Sequence, residues 1–84
     1  MKCTLLGFKS IDFTDNNGKR IDGVKLFVAY PDSGTEGQAA EGKFIDRSVF
    51  DSFGVSYKEL SDAFGCAVDL EYGPRNKVVG LSVV

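Results

Sequence analysis

The sequence predicts a mainly-β domain of five strands, with one short helix between the third and the fourth, and reads as a single unit over residues 1–84. Three observations predict it. Val24, Leu26, Val28 and Tyr30 alternate strictly with Lys25, Phe27 and Ala29, which is the period of a half-buried strand. Asn17-Gly18 separates two strand-like stretches, the strongest short-range hairpin signal. Ser56 and Glu59 have the spacing of a helix-opening capping box, and Gly65 follows where a short helix would end. A chain of 84 residues has room for one modest core and buries only about 60% of its unfolded surface, so it gains from a partner or a second copy.

The elements follow in order. Lys2–Thr14 reads as one long strand in which the apolar phase changes at Gly7, the mark of a bulge or bend. Asp15-Asn16-Asn17-Gly18 makes the turn, and a second strand runs from about Arg20 to Tyr30. Pro31–Gly42 is rich in Gly, Ser, Asp and Glu without periodicity and reads as a loop. A short third strand occupies Lys43–Asp46, and Phe50 and Phe53 are expected to plug one end of the fold. The helix that Ser56 opens places Tyr57, Leu60, Ala63 and Phe64 on one face. Ala67–Tyr72, the turn Gly73–Lys77 and Val78–Val84 complete a last hairpin. This is the element order of a five-stranded OB-like barrel. An open five-stranded sheet with the helix on one face is the competing arrangement.

Several function classes recede on composition. No apolar run reaches the roughly 20 residues needed to span a bilayer, so no membrane role is expected. Lys9 interrupts any signal-peptide core, which points to the cytoplasm. There is no histidine, hence neither the commonest general base nor the commonest metal ligand. Cys3 and Cys66 lie in apolar strand-like surroundings and are expected to be unpaired and buried, as free thiols in a reducing compartment usually are. Gly37 to Lys43 spells the start of a phosphate-binding loop, but Phe44 stands where Ser or Thr must hold magnesium, and no parallel α/β context surrounds it. Asp69 and Glu71 read as a solvated strand face rather than a catalytic pair. The expectation is a binding protein with no metal and no small-molecule cofactor, not an enzyme.

The charge distribution is more informative than the net −2. Residues 1–30 carry +2, residues 31–72 carry −6 and residues 73–84 carry +2. Local potential, more than the total, governs association. Lys25 and Phe27 share a strand face opposite Val24, Leu26 and Val28, and so combine a flat ring for stacking with a cation for a phosphate. On an OB-type sheet the second and third strands bind, flanked by the loops between strands one and two and strands four and five. Lys43 and Phe44 fall on the third strand; Lys19, Arg20, Arg75 and Lys77 fall in those loops.

The stretch Gly7-Phe8-Lys9-Ser10-Ile11-Asp12-Phe13-Thr14-Asp15, then Gly18, Gly23-Val24-Lys25-Leu26-Phe27-Val28, and the closing Val68-Asp69-Leu70-Glu71-Tyr72 with Val78-Val79, resembles small single-stranded-DNA-binding proteins of the filamentous-phage helix-destabilising type and their relatives in phages and conjugative elements. The resemblance lies in strand order and length. It implies an OB-fold, a homodimer and sequence-tolerant binding of single-stranded DNA or RNA. It further implies a platform of Lys25, Phe27, Lys43 and Phe44, and backbone contacts from Arg20 and Arg75. The alternative function is a protein-interaction or structural accessory module of a phage or mobile element, whose Phe27 face meets another chain.

Overall fold

A computed structural model, which describes residues 2–83, contains β1 (Lys2–Thr14), β2 (Arg20–Pro31), β3 (Gln38–Asp46), α1 (Arg47–Ser52), α2 (Tyr57–Asp62), β4 (Ala67–Tyr72), a single 3-10 turn at Pro74–Asn76, and β5 (Val78–Val83). Every strand pairs antiparallel with its neighbour in one sheet of order β3-β2-β1-β4-β5. The fold is therefore mainly β with five strands, as the sequence predicts, but the sheet is not closed into a barrel.

In the β1–β2 turn the Asn-Gly pair does not adopt the two positive φ angles of a two-residue hairpin loop. Only Gly18 has positive φ, at 81°. Asp15 N–H bonds to the Lys19 carbonyl at 2.8 Å, and the Asp15 carboxylate accepts from the backbone N–H groups of Asn17 and Lys19, each at 2.9 Å. The result is a three-residue loop closed by a left-handed glycine. From Asp15 opposite Lys19 the register runs back without a break to Gly7 opposite Phe27.

At that point β1 bulges. Leu5 lies opposite Val28 and Gly7 opposite Phe27, so Leu6 is the extra residue. Cys3 and Leu5 face the core before the bulge, and Phe8 packs against it afterwards. The bend marks where β1 leaves β4. Thr4 pairs with both Ala29 of β2 and Ala67 of β4, whereas beyond the bulge β1 pairs, among the described residues, with β2 alone. Leu5 N–H also donates to the Cys66 carbonyl, and Gly65 N–H to the Leu5 carbonyl, which docks the entry to β4.

The core gathers residues from every element. Leu5, Val24, Leu26, Val28 and Ile45 come from the first three strands, Val68, Leu70, Val78 and Leu81 from the last two, and Phe50, Leu60 and Ala63 from the helical region. One cluster fed from both halves of the sheet means that the sheet curls around it. β3 approaches the end of β4 near Lys43, whose Nζ lies 5.2 Å from the Tyr72 ring centroid. Among the described residues no hydrogen-bonded ladder joins β3 to β5.

Four expectations need correction. Two short helices, not one, separate the third and fourth strands. α1 was hidden because Asp46 makes no side-chain cap bond and the helix is only six residues long. β3 starts at Gln38, inside the expected loop, because pairing with Ala29–Pro31 extends a stretch too small and polar to show alternation. At α2, Ser56 Oγ accepts from Glu59 N–H at 3.1 Å, but the Glu59 carboxylate meets the Ser56 hydroxyl instead of its backbone N–H. Finally, both cysteines are free, yet only Cys3 is buried. Cys66 lies one residue before β4, where its inward parity no longer reaches the core.

Candidate nucleic-acid interface

Because Val24, Leu26 and Val28 are fully buried, Gly23, Lys25 and Phe27 must face outward. The register then dictates their neighbours. Lys9 of β1 and Phe44 of β3 flank Lys25; Gly7 and Gly42 flank Phe27; Ile11 stands beside Gly23, and Phe13 beside Ile21. The outer face of β1–β2–β3 thus carries three phenylalanine rings and two lysines. Phe13 is 54% exposed and Phe44 42% exposed, whereas Phe27 is half-buried.

Two glycines keep this face flat. A Cβ at Gly23 would stand 2.7 Å from Cζ of Phe44, so the ring lies over Gly23. A Cβ at Gly42 would collide with Cε of Lys25, whose stem crosses that glycine and brings Nζ to 5.5 Å from the Phe27 ring centroid. That geometry is a cation over an aromatic face, with the ammonium still available to an anion.

Lys9 and Lys25 are direct cross-strand partners on this face. Like charges directly opposite one another destabilise a sheet. Asp12 and Asp22, the nearest carboxylates on β1 and β2, have the opposite parity, so they project from the other side of the ribbon.

The other expected site residues divide into three groups. Lys43 does not join Phe44: neighbours on a strand face opposite ways, and Lys43 is turned inward to Glu41, Nζ to Oε1 2.9 Å, and to Tyr72. The hydrogen bond that Lys43 donates to Glu41 raises the Lys43 pKa. Arg20 is held by Asp12 in a two-point contact, Nε to Oδ1 3.0 Å and Nη2 to Oδ2 2.9 Å, which lowers the Asp12 pKa and raises that of Arg20. Lys19 lies exposed in the β1–β2 turn. Arg75 and Lys77 are exposed in the β4–β5 connection. Since β4 runs antiparallel to the start of β1, that connection lies past the N-terminal end of β1, and Lys19 and Arg20 lie at its C-terminal end.

The sequence reading missed Lys9 and Phe13. The signal was present: counting back from Asp15 opposite Lys19 puts Lys9 beside Lys25 and Phe13 beside Ile21.

The remaining surface offers two other features. Arg47 bonds to Ser10 Oγ at 2.7 Å, to the Gly23 carbonyl at 3.3 Å, to Asp22 Oδ1 at 3.4 Å and to the Tyr57 hydroxyl, clamping the helices to the first hairpin. A shallow depression of about 480 Å³ beside it is lined by Arg20, Asp22, Asp46, Arg47, Ser48 and Asp51. Its three carboxylates make it a poor seat for phosphate. On the helical side Phe8 stacks on Tyr57 at 5.2 Å, and Phe64 lies 5.9 Å from Phe8.

Comparison with family models, with curated proteins and with solved structures gives no match to this chain.

Proposed function

We propose that this protein binds single-stranded DNA or RNA with little sequence preference, through the outer face of β1–β2–β3. The observation that carries the reading is the pairing of Lys9 with Lys25 among exposed phenylalanines. Both cations stand on this one face, with Lys25 leaning toward Gly42 over the Phe27 ring, and a phosphate backbone would supply the counter-charge they lack there among the described residues. Phe13, Phe44 and Phe27 supply ring faces, on which any base stacks irrespective of sequence. We take the curled sheet as an open OB-like barrel, with Lys43 of β3 reaching the Tyr72 ring at the end of β4. The protein acts by binding rather than catalysis, and a homodimer is part of the proposal because the core is small.

The test is titration of a fluorescent oligonucleotide at low and moderate salt. Binding that weakens steeply with salt supports the reading. Absence of binding at low salt to any oligonucleotide up to a few tens of residues refutes it. The ring cluster of Phe8, Tyr57 and Phe64 favours a second reading, a protein partner on the helical side, which that refutation would bring forward.

A further inference from the structure

The geometry points to a path for the strand that runs lengthwise along the first hairpin, from Phe27 to Phe13, and not across the sheet from β3 toward β5. This inference rests on the nucleic-acid reading above and adds Phe13 as the distal stacking residue.

The path follows from where rings and charges stand. Along β2 the outward rows are Phe27 between two glycines, then Lys25 between Lys9 and Phe44, then Gly23 beneath the Phe44 ring, then Ile21 beside Phe13. Phe27 and Ile21 are six residues apart, roughly 20 Å at about 3.3 Å per residue. Rings mark both ends and the middle of that line, and the Lys9–Lys25 row lies between them, with the Lys25 ammonium leaning over Phe27. Across the sheet the character changes at once. Beyond Thr4 and Lys2 stand Ala67 and Asp69 of β4, then Glu71, Gly80 and Ser82, with no ring among them. A phosphate chain crossing in that direction would approach carboxylates and find nothing to stack on.

The length of the track sets the ligand. A base-stacked strand advances about 3.4 Å per nucleotide, so roughly six would fit, but rings spaced two or more strand rows apart cannot meet bases at that pitch. A strand unstacked to about twice that rise places about four nucleotides on the track, at the small end of the range for one such domain. The class selected is a short, unstacked single strand. A duplex, whose bases are not available to the rings, is excluded from this mode of contact.

The experiment uses the whole chain and tetrathymidylate carrying a photoreactive 4-thiothymine at its 5′ or its 3′ end, with adducts mapped by peptide mass. Longer thymidylates are titrated in parallel to establish that binding occurs at all. Adducts from one end in the Phe13 stretch and from the other in the Phe27 stretch are expected, with Phe13→Ala weakening binding about fivefold or more at an unchanged melting temperature. Adducts from either end within 67–83 overturn the path while leaving the function standing. So does binding of longer strands with none of the tetranucleotide. Failure of every length to bind removes the function itself, and the path with it.

Discussion

Lys9 and Lys25 face each other directly across the β1–β2 ladder, on the side of the sheet that carries Phe13, Phe27 and Phe44. The Lys25 stem leans away from Lys9 toward Gly42, so the two cations are spread over this face and raise its local potential.

If each ammonium neutralises one phosphate, the two together contribute about −1.4 to the log–log salt slope of single-strand binding. Lys9→Ala should flatten the measured slope by about 0.7 and leave the melting temperature nearly unchanged. An unchanged slope would place Lys9 outside the binding face.

Phe27→Ala is expected to weaken oligonucleotide binding by about 1–3 kcal/mol, the usual worth of a base–aromatic stack. Leu26→Ala, one residue away and fully buried, should instead cost roughly 2–5 kcal/mol of stability by opening a cavity. Titration and thermal melting on the two variants separate the faces of β2. A Phe27→Ala protein that melts early but binds normally when folded would make Phe27 a packing residue.

Asp12 engages Arg20 at the hairpin tip, where both are exposed, so the pair contributes little to stability. Asp12→Asn removes a negative charge on the side of the ribbon away from the phenylalanines, so it should tighten strand binding only slightly at low salt and leave the salt slope unchanged. The pH dependence has a definite sign. The folded-state pKa of Asp12 lies below its usual value, so its contribution is present above the unfolded pKa and lost as pH falls through the lower folded one. Acid titration of the wild type, compared with Asp12→Asn, should show a small loss over that window in the wild type alone.

The thiols should react at two rates. Cys66 is exposed and should be modified at once under native conditions. Cys3 is buried, and its pKa is raised chiefly by desolvation, so it should react only on opening or denaturation. Timed alkylation read by intact mass checks this: one rapid adduct, then a slow second. Two rapid adducts would mean that the edge between β1 and β4 opens easily.

Much of the fold was legible because strong local signals coincide with long elements. The alternation from Val24 to Tyr30 and the turn at Gly18 fix the first hairpin, and Ser56 marks α2. Gln38–Gly42 was not legible, since Ala, Gly and Glu have no strand signature until β2 supplies a partner. α1 lacks a cap and is held by Phe50, whose burial is tertiary. On the site, Lys25, Phe27 and Phe44 were readable from parity and pairing. Lys43 was misjudged by the same rule, because adjacent strand residues cannot share a face. Lys9 and Phe13 required carrying the hairpin register through to its consequence, which depends on knowing that the loop closes at Asp15 and Lys19.

Leu6 separates two properties that most strands set together. Remove it, and Leu5 still points inward, Gly7 outward and Phe8 inward, so every cross-strand partnership on either side survives. What would vanish is the curvature that carries β1 away from β4 and into its long run with β2. The shape of the outer face of β1–β2–β3 is therefore adjustable by one residue without rewriting its cross-strand register. Shortening or lengthening the chain at this point gives natural variation, or design, a direct handle on how tightly the sheet is rolled.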